Sequence, residues 1–455
     1  MQKLILYVFS KHKDFALEIN NNSKEAIARY FELVSIFWNI TDKGIELIPI
    51  IQMHDDIRNK YNTFVEKYKK ELPRLNRLKS SLDQIRNDEF FFTSNKSNHT
   101  PKEILFIGNL IDVHNTTNDD KERAELFQKK LKIQDDFFGD LLAKYDTKVF
   151  DTSYKKYFIG ESDRKNRICR FCKKGEKDGK KFKKKAHAFS EALGNKTIVL
   201  NEECDDCNEK FGSNIEKDFI QYLDVYRVFF KVKGKNSIPK LKFDNNAIVT
   251  NIEKKDIPKN YIEELKNTEN LMLVRTQNIE HNEETGELTV LLESNNKLKE
   301  VNIYKTLCKY AISVIDSDEL QHFEKTIDWI NTNNEQEINL PKIAYLIANP
   351  MYVDTPVLCL CIRKDDDYTH PYLVAEFKFK SLIFVYILPF SSKDKRSFIE
   401  KEEYDLFWKT FKHYDSVKDW VFYNFSDTKS KKYQFRIKMV NKNTNKTLER
   451  NSFAR

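Results

Sequence analysis

The stretch CRFCKKGEKDGKKFKKKAHAFSEALGNKTIVLNEECDDCN, residues 169–208, decides the fold of the central part of this chain. It contains two Cys-x-x-Cys pairs, Cys169 with Cys172 and Cys204 with Cys207. Each pair presents two sulfurs from one turn, so the pairs together can supply four thiolates to a tetrahedral zinc ion. The 31 residues between them predict a folded excursion that the metal anchors at both ends. A disulfide or redox role is the less favoured alternative.

The excursion has the pattern of two strands followed by a helix. KKFKKKAHAF (180–189) predicts a strand that carries His187, and KTIVL (196–200) predicts a second one because it is apolar and β-branched. After a turn from Asn201 to Cys207, CNEKFGSNIEKDF predicts a helix with Asn208 in its first turn. In such a ββα arrangement an imidazole and an amide oxygen can face each other across a small cleft.

This combination of residues resembles the HNH endonucleases, in the zinc-stapled branch of the His-Me finger nucleases. The resemblance rests on His187 between the two cysteine pairs, a middle asparagine, and Asn208 directly after the second pair. The middle asparagine is Asn201, with Asn195 as the alternative. The resemblance covers residues 164–225 and implies a hydrolase of phosphodiester bonds with a structural zinc ion. It also implies a catalytic divalent cation, Mg²⁺ or another.

The same resemblance implies a role for each polar residue of the site. His187 is expected to act as the general base, and Asn208 as a ligand of the catalytic ion. Asn201 is expected to fix the loop and the orientation of the imidazole. Glu191 is a further candidate for the catalytic site, with capping of its own loop as the alternative. Many HNH enzymes have a metal-binding acid or histidine at the position of Ala186, so here the ion would rest on Asn208, phosphate and water, with Glu191 or Glu216 as further candidate ligands.

Positive charge is concentrated around this stretch. From Arg164 to Lys185, twelve Lys/Arg and two acids leave +10, whereas the whole chain carries +8. Such a cluster predicts contact with a polyanion. The lysines of the first strand are expected to follow a nucleic-acid backbone and to contribute salt-sensitive affinity: Lys181, Lys183, Lys184 and Lys185. The basic tail, residues 429–455, is interpreted as a solvated end.

Overall, the chain predicts an α+β multidomain protein. Residues 1–150 are expected to form a mainly helical N-terminal domain, and 151–225 the nuclease module. Residues 226–455 are expected to form an α+β domain that senses a signal or positions the substrate. The elements predicted from periodicity are strands at 2–9, 103–111 and 286–294, helices at 23–40, 50–86 with a break at Pro73, 118–145 and 216–230, a helix after Asn302, and a strand-rich segment at 340–390.

Two other functional interpretations stay open. Glu376 and Lys378 on an apolar strand, with acids at 365–367 before them, loosely fit a restriction-type PD-(D/E)xK core, although a half-buried charged strand gives the same letters. The module is otherwise a zinc-stapled binding module for nucleic acid without catalysis, or a zinc-stapled adaptor between proteins. A binding module would have no need for His187, Asn201 and Asn208 in that order.

Location and partners follow from the same observations. No apolar run approaches the length of a membrane span, and paired Cys-x-x-Cys spacing is not that of a secreted disulfide framework, so we expect a cytoplasmic protein without membrane contact. DNA is the expected substrate and RNA the alternative. Zinc-stapled HNH domains with large flanks resemble bacterial restriction and antiviral defence effectors. A regulatory ligand, a partner protein and oligomerisation are left open.

Overall fold

The computed structural model of this chain describes residues 3–12, 14–20, 23–41, 44–96, 99–153, 156–234, 237–252, 272–283, 285–332, 338–347 and 352–440. Across these residues the fold is mixed α+β, as predicted. The chain divides into two compact units, the first Met1–Ala143 and the second Lys144–Arg455. No helix within the described ranges has both the length and the apolar character that crossing a membrane requires.

The first unit combines an antiparallel sheet with helices. Its strands are β1 (Lys3–Phe9), β2 (Phe15–Asn20), β3 (Asn39–Thr41), β4 (Gly44–Glu46), β5 (Ile50–Gln52) and β6 (Phe90–Ser94). Four of them form a sheet in the order β2-β1-β6-β5, and β3 pairs with β4 alone. The helices are α1 (Lys24–Val34), α2 (Asp55–Tyr68), α3 (Leu75–Leu82), α4 (Pro101–His114) and α5 (Asp120–Lys144), the last of which ends at the first residue of the second unit.

Local sequence signals account for most of these elements. The Ser23 hydroxyl accepts a hydrogen bond from the backbone N–H of Ala26 and begins α1, as predicted. The helical region at 50–86 is indeed split around Pro73. The predicted strand at 103–111 is wrong, because these residues lie within α4. Thr100 and Glu103 form a capping box in front of the apolar run, and Pro101 occupies the first helical turn.

The described residues of the second unit form four sheets. The strands are β7 (Tyr145–Asp151), β8 (Tyr157–Ile159), β9 (Ala186–His187), β10 (Ile198–Leu200), β11 (Leu241–Lys242), β12 (Ile248–Asn251), β13 (Met272–Arg275), β14 (Ile279–Asn282), β15 (Glu287–Lys299), β16 (Ile343–Ile347), β17 (Val357–Arg363), β18 (Leu373–Phe379), β19 (Leu382–Ile387), β20 (Val421–Tyr423) and β21 (Ser430–Val440). The largest sheet is antiparallel, in the order β20-β16-β19-β18-β17-β7. Three smaller sheets have the orders β8-β10-β9, β11-β12-β13 and β14-β15-β21.

The C-terminal elements agree in part with those predicted from the sequence. The strand-rich segment at 340–390 is confirmed by β16 to β19. The basic tail is not wholly a solvated end, because β21 pairs with β15 over most of its length. Residues 441–455 of that tail lie outside the described residues.

Helices of the second unit surround one that is entirely buried. They are α6 (Asp205–Ser213), α7 (Ile215–Phe229), α8 (Glu300–Val314), α9 (Glu324–Asn331), α10 (Lys401–Thr410) and α11 (Lys412–Asp415). Every residue of α8 is buried. Such a helix, apolar or paired on all sides, can form only where other elements cover it completely. α8 is therefore the centre of this unit.

The cysteine stretch and the large sheet share one core. Phe189 and Phe219 contact Tyr310 of α8 with ring-centroid distances of 5.6 and 6.0 Å. Both rings also lie 6.0 Å from Phe377 of β18. These edge-to-face and tilted contacts join β9, α7, α8 and the sheet around one apolar cluster. The predicted boundary at 225 is thus not a break in this core, and the division into three domains stays a prediction.

Candidate metal centre and active site

The sulfur atoms of the four cysteines Cys169, Cys172, Cys204 and Cys207 lie within 4.8 Å of one another. None of the four forms a disulfide. A tetrahedral zinc ion with Zn–S bonds of about 2.3 Å requires sulfurs about 3.8 Å apart. The Sγ atoms of Cys172 and Cys204 are 3.8 Å apart, which fits this geometry. The predicted structural zinc site is supported by this donor set.

The electrostatics of the thiols also favour a cation. A hydrogen bond from Cys207 is the main cause that lowers the pKa of Cys169 to about 5. Burial raises the pKa of Cys204 to about 12, and the hydrogen bond to Cys169 raises that of Cys207 further. The cluster by itself therefore favours the thiolate of Cys169, whereas the thiolates of Cys204 and Cys207 need a positive charge nearby.

Two tight turns present the cysteines. In the first, the backbone N–H of Lys173 donates to the carbonyl of Cys169 at 2.9 Å, and Lys173 has a left-handed φ of 57°. In the second, Cys204 is the N-cap of α6, and the N–H of Asn208 donates to its carbonyl at 3.0 Å. The second cysteine pair and Asn208 therefore share the first turn of one helix.

Arg170 joins the first turn to the buried helix. Its guanidinium donates to the carbonyls of Ile312 and Ile315 at 3.0 and 2.6 Å. Its Nε donates to the Glu202 carboxylate at 2.9 Å, and the side chain is only 2% exposed. Carbonyls at a helix C-terminus lack partners within the helix and attract cations. Arg170 thus caps α8 and links it to both cysteine turns.

His187 lies in β9, an edge strand of the three-stranded sheet β8-β10-β9. β9 pairs antiparallel with β10, where His187 is opposite Val199, and β8 pairs parallel with the other edge of β10. The imidazole is half-buried. Its Nδ1 is buried without a hydrogen-bond partner among the described residues, so Nε2 is the nitrogen that reaches solvent.

The environment keeps this imidazole neutral. The pKa of His187 is lowered from its ordinary value of 6.5, mainly by burial. The Glu191 carboxylate acts in the opposite direction, while the charges of Lys156, Lys309 and Lys185 lower the pKa further. A neutral imidazole at pH 7 is the form that accepts a proton.

Asn195 fixes the loop between β9 and β10. Its Nδ2 donates to the carbonyls of Phe189 and Ile198 at 2.9 and 3.0 Å. Its Oδ1 accepts from the N–H groups of Thr197 and Ile198 at 3.1 and 3.0 Å. A fully buried amide therefore uses its whole hydrogen-bonding capacity on the loop that follows His187.

Asn201 is placed differently. It is buried, and its backbone N–H donates to the carbonyl of Ile159 at 2.9 Å, which joins β10 to β8. Within the part of the chain that the structure describes, its side chain makes no hydrogen bond. The loop-fixing contacts expected of Asn201 are thus made by Asn195, the alternative from the sequence. A catalytic role of Asn201 stays a prediction.

The segment before His187 is tied to the first turn of α6. The N–H of Asp205 donates to the carbonyl of Lys181 at 2.8 Å, and the N–H of Lys184 donates to the Asp205 carboxylate at 2.9 Å. These bonds hold the approach to β9 against the helix that carries half-buried Asn208. No sequence pattern indicates the side-chain contact of Asp205, because the bond joins residues 21 positions apart.

The lysines of this segment differ in their contacts. Lys180 pairs with Asp206 at 2.7 Å and Lys184 with Glu209 at 2.8 Å, both in α6. Ion pairs between exposed side chains are weak in water, so a phosphate can displace them. The other predicted contact residues, Lys181, Lys183 and Lys185, form no ion pair within the described ranges.

A buried ionic cluster lies behind His187. The Lys309 ammonium, 1% exposed, is 3.0 Å from a carboxylate oxygen of both Glu203 and Glu216. It is also 3.5 Å from the backbone carbonyl of His187. Neither Glu203 oxygen meets hydrogen-bond geometry, so that contact is close but poorly aligned. Burial raises the pKa of Glu203 to about 7, and the charge of Lys309 opposes this.

The residues that could hold a second, catalytic cation are few. The four cysteines form the only group of three or more His, Cys, Asp or Glu ligands found in the described ranges. Glu216 is engaged with Lys309. The amide of Asn208 and the carboxylate of Glu191 are left, and a Mg²⁺ ion often binds one or two protein oxygens with substrate phosphate and water. A second group of three or more such ligands is not found among the described residues, so the catalytic cation stays a prediction.

The rival motif on β18 forms a different structure. Glu376 pairs with Lys378 at 2.9 Å and accepts a hydrogen bond from the Tyr414 hydroxyl. Asp367 accepts from Lys144 at 2.8 Å. These acids do not form a cation-binding group with one another in the described residues. Their contacts are those of a structural strand and its preceding loop.

Comparison with known proteins gives one match. A family model described as HNH endonuclease matches residues 169–224. The matched segment begins at the first cysteine of the cluster and ends in α7, so it contains His187 and Asn208. The predicted resemblance is confirmed for this segment and supports nuclease activity in general. No curated protein and no solved structure matched the chain.

Proposed function

We propose that the chain is a metal-dependent HNH endonuclease that hydrolyses phosphodiester bonds of DNA. One observation carries the proposal. A half-buried histidine, kept neutral by its surroundings, lies on the strand between the two halves of a four-cysteine cluster, within the segment that matches HNH endonucleases. A neutral, solvent-facing Nε2 beside a nucleic-acid backbone is suited to removing a proton from water.

The proposed roles follow from the contacts of each residue. His187 accepts the proton of the attacking water at Nε2, with the ring proton on Nδ1. Asn208 and Glu191 supply oxygen ligands for a divalent ion, which when bound neutralises charge on the phosphate and assists departure of the 3′-oxygen. Asn195 holds the loop behind the imidazole. Asn201 is a further candidate for orienting the ring.

We further propose that the nuclease is regulated and acts in bacterial defence or restriction. An unrestrained nuclease would damage the DNA of its own cell, so activity must be restricted by sequence, ligand or partner. The shared core around α8 supports the C-terminal region as the regulatory element, because displacement of that helix would disturb Lys309 behind His187. Expression of the active protein should then slow growth only when its trigger is present.

Plasmid cleavage tests the proposed activity. Purified protein is incubated with supercoiled plasmid and Mg²⁺, Mn²⁺ or Ni²⁺, beside a His187→Ala variant with confirmed zinc content. We expect metal-dependent nicking by the wild type and a loss of at least about 100-fold in the variant, the usual range for removal of a general base. Equal cleavage by both proteins would refute the role of His187.

A second candidate function is a zinc-stapled module that binds nucleic acid without cleaving it. The small ligand set for a catalytic cation favours this candidate. Salt-sensitive DNA binding by both proteins, without cleavage under any metal or any tested cell extract, would support it over the nuclease.

A further inference from the structure

Strand β8 lies outside the segment that matches HNH endonucleases, yet it extends the sheet of His187. The backbone register aligns Phe158 of β8 with Val199 of β10, and Val199 with His187 of β9. Residues paired across neighbouring strands point to the same face of a sheet. Phe158 and His187 therefore share one face, two strand spacings apart, or about 10 Å.

This face carries an exposed aromatic ring, and two lysines lie near it. Phe158 is 51% exposed. Lys156 is the residue before β8 and Lys185 the residue before β9, and the charges of both act on His187. The Lys156 ammonium lies 5.2 Å from the centre of the Phe158 ring.

Among the described residues, the two lysines have no acidic partner. In the described part of the chain neither forms an ion pair, unlike Lys180 and Lys184 nearby. The charge of Lys185 is the first cause that lowers the pKa of Lys156, so the two ammonium groups lie close together. Two adjacent unpaired cations beside an imidazole attract an anion.

We propose that Lys156, Lys185 and Phe158 form a substrate subsite next to His187, in which the lysines hold a phosphate of DNA and the Phe158 ring stacks on an unpaired base. This inference rests on the proposed function and specifies how its substrate is bound. An exposed lysine side chain changes rotamer within nanoseconds, so a phosphate can draw Lys156 away from the ring and leave its face to a base.

The exposed Phe158 ring indicates that this subsite binds unpaired DNA. A base inside a duplex has both faces covered by its neighbours, whereas an unpaired base offers a face to an aromatic side chain. Lysines alone would bind duplex and single strands alike through the phosphates. The exposed ring therefore adds a preference for single-stranded, melted or flipped nucleotides.

The matched control for Phe158 is its neighbour on the same strand. Tyr157 is 54% exposed, but because successive residues of a strand alternate, its side chain points to the opposite face. Lys177 is an exposed lysine of the same basic segment that is absent from the charges acting on His187. Tyr157→Ala and Lys177→Gln are therefore controls for Phe158→Ala and for Lys156→Gln with Lys185→Gln.

Binding is measured by fluorescence anisotropy with full-length protein in a His187→Ala background, so that cleavage plays no part. The probes are a labelled single-stranded DNA 12-mer, its duplex and the RNA 12-mer of the same sequence. Because Phe158→Ala removes the surface on which a base stacks, it should weaken single-strand binding roughly tenfold and duplex binding less than twofold. Each lysine substitution should reduce the salt slope by about 0.7.

Three results would overturn the subsite. They are equal losses for Phe158→Ala and Tyr157→Ala, an unchanged salt slope in the double lysine variant, and tighter binding of the RNA strand. Folding is verified in each variant through zinc content and melting temperature. If Phe158→Ala cleaves plasmid at the wild-type rate and binds single-stranded DNA with the wild-type affinity, the subsite is refuted and the nuclease activity is supported. If no cleavage occurs but single-strand binding depends on Phe158, the nuclease activity is refuted and the subsite is supported.

Discussion

His187 is controlled by charges of both signs. Burial and the lysines lower its pKa, and the Glu191 carboxylate raises it. The groups that act on it come from the residues before β8 and β9, from α8 and from the loop after β9, so the proton affinity of the imidazole depends on several segments. Its charge state is a property of the folded sheet more than of the local sequence.

The pH dependence of cleavage should report this balance. Because the neutral imidazole is the active form and its pKa is below 6.5, single-turnover cleavage should be constant near pH 7–8 and should fall at acid pH with a midpoint below 6.5. In the metal-free protein, Glu191→Gln removes a charge that favours the imidazolium, so the imidazole pKa followed by NMR titration should move to lower pH. A midpoint above 6.5, or a shift upward in Glu191→Gln, would contradict the assignment.

Asn195 and Asn201 provide a matched pair for stability. Asn195→Ala leaves several buried backbone groups without partners, so the free energy of unfolding should fall by roughly 2–4 kcal/mol. Asn201→Ala removes a side chain without hydrogen bonds in the described structure and should cost about 1 kcal/mol or less. Urea denaturation of both variants measures the difference. Equal losses would show that the loop does not depend on the Asn195 amide.

These two asparagines also show a limit of the sequence. Both flank the short strand β10, and the spacing of cysteines and His187 is compatible with either as the middle residue. Which of the two asparagines fixes the loop depends on which side chain points into it. This orientation follows from the turn after Phe189 and not from a pattern of residue types. By contrast, the cysteine cluster could be predicted because two-residue spacing within one turn is a local property.

Among the structural elements, the short strand β8 and the contacts of α8 could not be predicted from the sequence. β8 has only three residues and pairs in parallel with a strand about 40 positions later, so no hairpin signal announces it. The run at 103–111 became a helix because capping residues before it outweighed its apolar strand-like letters. Lys309 reaches Glu203 across 106 positions (309 − 203), and no spacing rule connects them.

The three charges of Lys309, Glu203 and Glu216 should stabilise the fold only when they are present together. Lys309→Met leaves two buried carboxylates without a cation, so the free energy of unfolding should fall by about 3–5 kcal/mol. Adding Glu203→Leu and Glu216→Leu should recover most of that loss, because an apolar replacement of a whole buried cluster is often neutral. Denaturation with guanidinium measures both. A triple variant no more stable than Lys309→Met would show that the charges do more than compensate each other.

At the scale of the whole molecule, the second unit is expected to respond to zinc as one body. The rings that join β9, α7, α8 and β18 belong to one core, so a local loss at the cysteine turns propagates into the sheet. The fold class was predictable from periodicity and strand-forming runs. The shared core was not, because its ring contacts join residues between 91 (310 − 219) and 188 (377 − 189) positions apart.

Removal of zinc tests this cooperativity. The purified protein should contain one zinc ion per chain, and chelation should lower the melting temperature and hydrogen-exchange protection of α7, α8 and β17–β19 together. Cys204→Ser should have the same effect without chelator. Protection that persists in β17–β19 after zinc has left would show that the cysteine stretch folds independently of the sheet.

Arg170 connects the metal centre and the end of α8 in a way that works in both directions. The same guanidinium that follows Cys169 holds the last carbonyls of the helix. An effector that changes the arrangement of α8 should therefore change the affinity of the cysteines for zinc. By thermodynamic linkage, zinc then changes the affinity for that effector by the same factor. Competition with a chromophoric chelator would therefore detect an unknown effector of the C-terminal region before any substrate is identified.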